Sequence, residues 1–158
     1  MIFDNIVVAY DGSEQALEAV KKAGEIAKLD SGIKLHVVFV TTHPNAQLPA
    51  NFNNSAFDPQ QYLLSVEDVQ ELYEKTIAEE TETVKKGLGD TLDDVADQVS
   101  IEVIPGYAPA PDLLAHAKKV DGDLIVMGSR GLGAIRGMLG SVSYAVLRES
   151  EIPILIVK

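Results

Sequence analysis

The stretch "DLIVMGSRGLGAIRGMLGSVS", residues 123–143, joins an apolar run to a glycine-rich loop and to the polar start of a further segment. The apolar run at 123–128 predicts a short buried strand, and residues 141–149 predict a helix. Glycines between them let backbone N–H groups approach an anion closely, and a helix N-terminus adds unpaired donors. The stretch therefore predicts a strand, a turn able to hold an anion, and a helix.

Strand and helix patterns alternate along the rest of the chain. Strands are predicted at 6–10, 34–41, 99–104, 123–128 and 152–157, and helices at 13–28, 67–86, 110–120 and 141–149. Short apolar strands separated by helices predict one domain over residues 1–158, an α/β fold with a single open, doubly wound, five-stranded parallel sheet and helices on both faces, which is a Rossmann-like architecture. Ligands of such sheets bind beyond the carboxyl ends of the strands. A polar insert at about 42–61 is too long for a simple connection and predicts a lid or a mobile segment.

Composition excludes several classes of function. The 158 residues include 13 Lys and Arg against 24 Asp and Glu, a formal charge of −11 that disfavours nucleic acid and anionic membranes as partners. The absence of cysteine excludes disulfides and thiolate metal sites. His36, His43 and His116 show no metal-ligand spacing, so we expect no metal site there. The opening "MIFDNIVVAYDG" predicts a strand and a turn rather than a targeting segment, and we expect a cytoplasmic location.

The glycine-rich stretch is a local exception to the acidic charge. No Asp or Glu occurs from Ile125 through Arg148, whereas Arg130, Arg136 and Arg148 are basic. Hydroxyl groups of Ser141 and Ser143 add donors at the start of the predicted helix. These features predict a cradle for phosphate groups, and the alternative is that the glycines serve backbone geometry alone.

Two common phosphate motifs are absent from this stretch. A Walker loop needs Lys followed by Ser or Thr after its last glycine, but Gly140 is followed by Ser141 and Val142. A dinucleotide fingerprint needs a glycine where Arg136 stands. In "AYDGS" near the start, Asp11 is either an ordinary turn residue or a carboxylate that accepts hydrogen bonds from a ligand.

Several motifs together resemble the universal stress protein family. They are "VMGSRGLG…GSVS" after the "DLIVMG" strand, "VVAYDGSE" near the start and "PILIVK" near the end. The resemblance implies a stress-response or regulatory protein that binds an adenine nucleotide, with ATP favoured over AMP or ADP and with Mg or Mn bridging the phosphates. It implies base and ribose contacts at Ala9, Tyr10, Asp11, Val37, Met127 and Gly128, and phosphate contacts at Arg130, Gly131, Gly140, Ser141, Val142 and Ser143.

Two other classes of protein compete with a nucleotide-binding protein. Eight residues separate Gly131 from Gly140, where nucleotide-binding members of the resembled family have nine, and this favours a signalling or scaffold member that binds no nucleotide. A phospho-acceptor receiver domain is excluded, because the third strand ends in "VIPGY" without an aspartate. No general base or acidic pair accompanies the phosphate loop, so we expect no enzyme activity beyond slow ATP hydrolysis.

The last predicted strand, "IPILIV" at 152–157, is almost entirely apolar. Pro153 lacks an N–H group and therefore suits a sheet edge or the start of a strand. A bare apolar edge promotes aggregation. The resemblance implies that this strand pairs with its own copy across a two-fold axis, and we expect a homodimer.

Overall fold

The computed structural model describes residues 2–41, 66–132 and 138–158, which form a five-stranded parallel sheet flanked by helices. The elements in chain order are β1 (Asn5–Ala9), α1 (Glu14–Ala27), β2 (Lys34–Thr41), α2 (Val66–Leu88), a 3₁₀ helix (Asp93–Gln98), β3 (Val99–Pro105), α3 (Pro109–Lys119), β4 (Leu124–Gly128), α4 (Ser141–Glu149) and β5 (Ile154–Val157).

The strand order is β3-β2-β1-β4-β5, and all neighbouring strands run parallel. The chain begins at the centre of the sheet, winds outward to β3, and then crosses to the other side of β1. The order therefore reverses between β1 and β4, where open α/β sheets bind their ligands. The predicted doubly wound fold is confirmed.

Two apolar cores lie on opposite faces of the sheet. One packs β1, β2 and β4 against α1 and α2, with Val8, Val37 and Ala23 at its centre. The other packs the same strands against α3 and α4, with Val38 and Leu113 at its centre. Adjacent strand residues enter different cores because side chains alternate along a strand. Each fully buried Val or Leu stabilises the fold by about 1.5–3 kcal/mol.

Helix starts follow from local chemistry. Ser13 caps α1, since its hydroxyl oxygen accepts the Ala16 N–H at 3.1 Å. Helix α3 begins with prolines in its first turn, where a missing N–H costs little. Gly140 precedes α4 and supplies no side-chain cap, so the first N–H groups of that helix are left open.

Some predictions about individual segments are wrong or lie outside the described residues. The apolar pattern of the helix predicted at 67–86 places Leu72, Tyr73 and Val84 near its buried side, but Leu72 and Tyr73 are exposed, because α2 contacts the core through Val84 and Leu88 near its C-terminus. The 3₁₀ helix at Asp93–Gln98 has no predicted counterpart. The polar insert at 42–61 lies outside the described residues. None of the described helices is long and apolar enough to cross a membrane.

Candidate functional site

A cavity of about 690 Å³ opens at the carboxyl edge of the sheet, where the strand order reverses. Its volume is in the range of small-molecule and cofactor sites. The ends of β1, β2 and β4, the first turns of α3 and α4, and the described parts of the glycine-rich loop surround it. The fold therefore places a ligand-sized space where the architecture predicts one.

Eleven of the twelve predicted site residues line this cavity. They are Ala9, Tyr10, Asp11, Met127, Gly128, Arg130, Gly131, Gly140, Ser141, Val142 and Ser143. Their contact with a ligand stays a prediction.

Val37 does not line the cavity, and its predicted contact with adenine stays a prediction. Val37 is fully buried in the core beneath α1 and α2. Because side chains alternate along a strand, its neighbour Val38 faces the cavity instead. The Val38 carbonyl also accepts the Tyr10 N–H at 2.9 Å and so joins β2 to the end of β1.

The start of α4 presents unpaired backbone donors to the cavity. The Gly140 N–H donates to the Ser129 carbonyl at 2.8 Å, which fixes the loop against the helix start. The next three N–H groups, those of Ser141, Val142 and Ser143, have no acceptor within the described part of the chain. Such donors at the positive end of a helix dipole form an anion site.

Side chains near the start of α4 contribute less to this anion site than the sequence suggests. The buried Ser143 hydroxyl donates to the Gly128 carbonyl at 2.8 Å, which leaves the Ser143 N–H as its open donor. The predicted phosphate contact of Ser143 stays a prediction. Arg148 lies in the last turn of α4 beside Glu149, its guanidinium 5.9 Å from the centre of the Tyr144 ring, and its charge is remote from the helix start.

Arg130 supplies the positive charge that lines the cavity among the described residues. It is partly buried and takes part in no ion pair within the described part of the chain. Arg136 lies outside the described residues. Charge at this site therefore comes from Arg130 and from the dipole of α4.

Asp11 lies in the turn between β1 and α1, and its side chain reaches the glycine-rich loop. Its Oδ1 accepts the Ser13 N–H at 2.9 Å, which is ordinary turn chemistry. Its Oδ2 lies against the Gly131 backbone, in the space that any side chain at position 131 would fill. A side chain at position 131 would therefore have to displace this carboxylate.

Tyr10 contributes to the site mainly through its backbone. Its ring packs in the core beneath α2, and its hydroxyl lies against Gly87, where a side chain would displace it. Burial of the ring, and after it the neighbouring Asp11 carboxylate, raises the pKa of the Tyr10 phenol above its ordinary value. The phenol is therefore a packing group.

An apolar wall, which sequence reasoning missed, completes the cavity. Val38 and Val40 of β2 and Leu113 of α3 form it, together with Met127 of β4. Alternation along β2 could have identified the two valines, whereas Leu113 depends on how α3 packs. An apolar wall beside an anion site suits a ligand with a flat apolar part and a phosphate.

The arrangement is that of a doubly wound α/β ligand-binding protein, with an apolar wall and an anion-binding helix start at the reversal of strand order. Within the ranges that the structure describes, no group of three or more acidic or histidine side chains is placed to hold a metal ion. The model of the universal stress protein family matches residues 2–158, and the chain belongs to that family.

Relatives match over nearly the full length. Universal stress protein MJ0531 of Methanocaldococcus jannaschii is 30% identical over 158 residues, covering 99% of this chain and 83% of the relative. The solved structure of MJ0577 from the same organism has a TM-score of 0.72 at 23% identity, covering 100% of this chain and 97% of that one. A universal stress protein solved in complex with cAMP has a TM-score of 0.63 at 28% identity, covering 98% and 96%.

Proposed function

We propose that the cavity binds an adenine nucleotide, with ATP as the favoured ligand, and that the protein acts in a cytoplasmic stress response as a regulator. The observation that carries the proposal is the row of three unpaired N–H groups at the start of α4 beside the apolar wall. The cAMP complex of a relative with 28% identity supports an adenine ring and a phosphate in such a cavity.

Each part of the nucleotide has a matching surface. The wall of Val38, Leu113 and Met127 would take the base, since planar rings bind between apolar side chains. The Oδ2 atom of Asp11 would accept ribose hydroxyl groups. The N–H groups of α4 and Arg130 would hold the phosphates, and a bound Mg or Mn ion would take its ligands from phosphate oxygens.

Replacing Asp11 by Ala is expected to weaken ATP binding by about 1.5–3 kcal/mol, the value of a hydrogen bond to a charged group. Asp11→Asn is the matched variant, because its amide oxygen can still accept the Ser13 N–H and preserve the turn. Calorimetric titration with ATP and Mg measures both. Unchanged affinity in Asp11→Ala would show that Asp11 is only a turn residue.

The competing function is a signalling or scaffold protein that binds no nucleotide. The spacing between Gly131 and Gly140 favours it, because a shorter loop could shift the N–H groups of α4. Calorimetric titration of the unmodified protein with ATP and Mg separates the two functions. Heat of binding that fits a single site supports nucleotide binding, whereas no heat at millimolar ATP supports the scaffold function.

Binding rather than catalysis is the activity we propose, with at most slow ATP hydrolysis. Among the described residues, the ionisable side chains that line the cavity are Tyr10, Asp11 and Arg130. Asp11 already accepts the Ser13 N–H, and no second carboxylate stands beside it to hold a catalytic metal in the described part of the cavity. Efficient phosphoryl transfer needs such a metal and a group that positions the attacking water.

We propose a homodimer through β5, which is an edge strand of the sheet. Leu155 at its centre is 38% exposed although it is apolar. Leu155→Lys is expected to convert the dimer into a 17.0 kDa monomer, because a two-fold interface places two lysines together. Leu29→Lys, on an exposed leucine outside the sheet, is the control. Sedimentation at micromolar concentration measures the mass, and a monomer before mutation would contradict the proposal.

A further inference from the structure

A carboxylate is shared by two histidines on the face of the sheet that α3 covers. Glu102 of β3 lies with its Oε1 2.9 Å from Nδ1 of His36 on β2 and with its Oε2 3.0 Å from Nε2 of His116 on α3. The Ser100 hydroxyl donates to Oε1 at 3.1 Å. We call His36, Glu102 and His116 the histidine–glutamate latch, because it links three separate elements.

The latch stands directly behind the apolar wall of the cavity. His36 precedes Val38 by two residues on β2, so the two side chains share a face. Glu102 is the strand partner of Val38. His116 lies one helical turn after Leu113, and both belong to the buried stripe of α3. Val38 and Leu113 line the cavity, so a shift of α3 relative to β2 would alter the wall.

The latch is partly buried, with Glu102 the most exposed of its members at 31%, and it is incompletely hydrogen-bonded. The His116 side chain is 4% exposed, and its Nε2 contacts Glu102 without hydrogen-bond geometry. Nε2 of His36 is also buried without a hydrogen-bond partner among the described residues. Burial alone would raise the pKa of the Glu102 carboxyl, but the His36 hydrogen bond and the His116 charge outweigh burial and lower it. Glu102 therefore stays ionised near neutral pH.

No other charge competes for Glu102 in the part of the chain that the structure describes. Apart from the latch itself, the ionisable side chains on the facing elements are Lys34 of β2, Asp112, Lys118 and Lys119 of α3, and Tyr144, Arg148 and Glu149 of α4. Asp112 accepts the Ala108 N–H, and the arginine and glutamate of α4 pair with each other. The three lysines and Tyr144 are exposed, and β1 carries no ionisable side chain.

We propose that the histidine–glutamate latch is a proton-responsive positioning device for the ligand cavity. Histidine is the side chain whose charge ordinarily changes between about pH 5 and pH 8. When a proton reaches His116 or His36, the ring becomes a cation beside the Glu102 carboxylate, and the attraction between α3 and strands β2 and β3 strengthens. The wall formed by Val38 and Leu113 is then held more firmly, and affinity for the base rises as pH falls.

The link to affinity rests on the proposed function, so the experiment has one measurement with a ligand and one without. Adenosine is the ligand, since it has no phosphate that titrates near neutral pH. Its affinity is expected to be about twofold to fivefold higher at about pH 6 than at about pH 8, which is the range for partly exposed ion pairs. Glu102→Gln keeps the shape of the side chain but removes its charge. The affinity of this variant for adenosine is expected not to rise on acidification.

Controls separate the latch from a general effect of charge or folding. Glu71→Gln removes the same charge from an exposed position on α2, on the opposite face of the sheet, and should keep the pH dependence of the unmodified protein. His116→Asn is a second latch variant, which tests the proposal if Glu102→Gln does not fold. A wild-type affinity ratio of one, or a latch variant that keeps the wild-type ratio, would overturn the proposal.

Amide hydrogen exchange over residues 109–119, compared as protection factors at the two pH values, tests the latch without a ligand. Greater protection at the lower pH in the unmodified protein, and its loss in the latch variants, is the expected result. If no adenosine binds, the proposed function fails, but hydrogen exchange still tests whether the latch responds to protons. Equal protection at both pH values would overturn it.

Discussion

Gly140→Val is expected to abolish nucleotide binding while the fold survives. A Cβ atom at position 140 would lie 3.4 Å from the Cα of Arg130, an ordinary contact, and the φ and ψ angles of −64° and 154° are open to any residue. The branched side chain would instead occupy the space before the three open N–H groups of α4. Loss of contacts with a charged phosphate is expected to weaken ATP binding on the order of 100-fold or more.

Two comparisons make this expectation specific to the phosphates. Adenosine should bind Gly140→Val nearly as well as the unmodified protein, because the apolar wall is untouched. Valine also caps a helix less well than glycine, at a cost of about 1 kcal/mol or less, so a urea titration should show a small change. Calorimetric titration measures the affinity for each ligand. An unchanged dissociation constant for ATP would show that the start of α4 does not bind the phosphates.

The parts of the fold that local chemistry determines could be predicted from the sequence. The alternation of apolar strands with helices predicts the parallel sheet, and α4 begins at Ser141 as expected, because a glycine and a serine precede an apolar stripe. The distribution of charge around the cavity could also be predicted from the sequence. The acid-free run that contains Arg130 follows β4, and Asp11 follows β1, so the rule for carboxyl edges brings them together.

The details of the cavity depend on strand pairing, helix packing and hydrogen-bond partners, which a single sequence does not reveal. Val37 and Val38 are both apolar, and only the pairing of β2 with its neighbours decides which of them faces α3. Leu113 enters the wall through the packing angle of α3. The Ser143 hydroxyl could donate to phosphate or to the backbone, and the closeness of the Gly128 carbonyl decides for the backbone.

The histidine–glutamate latch could not be predicted either, because its residues are distant from one another in the sequence. Its three members lie 66 and 14 residues apart along the chain, so no spacing motif links them. The register of β3 on β2, with Ser100 opposite His36, brings Glu102 to the first histidine. The packing of α3 then brings His116 to the same carboxylate. Interpretation of the histidines one at a time, as satisfied or exposed residues, could not reveal that they share a partner.

Gly128→Ala, unlike Gly140→Val, is expected to destabilise the fold, because this glycine is needed for packing. A Cβ atom at position 128 would lie 2.9 Å from the carbonyl carbon of Gln15 and 3.0 Å from its oxygen, closer than real Cβ atoms approach backbone. No rotation of a side chain can relieve this overlap, so α1 must move away from β4. Overpacking of this kind is expected to lower the free energy of unfolding by about 1–3 kcal/mol.

The matched control is Gly140→Ala, which adds the same methyl group where 3.4 Å is available. Urea titration of both variants should show a lower midpoint with an unchanged slope for Gly128→Ala and a midpoint close to that of the unmodified protein for Gly140→Ala. Gly128→Ala should also weaken ATP binding, because displacement of α1 moves Ser13 and, through its N–H, the Asp11 carboxylate. Equal midpoints for the two variants would contradict a packing role for Gly128 and would leave both glycines with a role at the ligand alone.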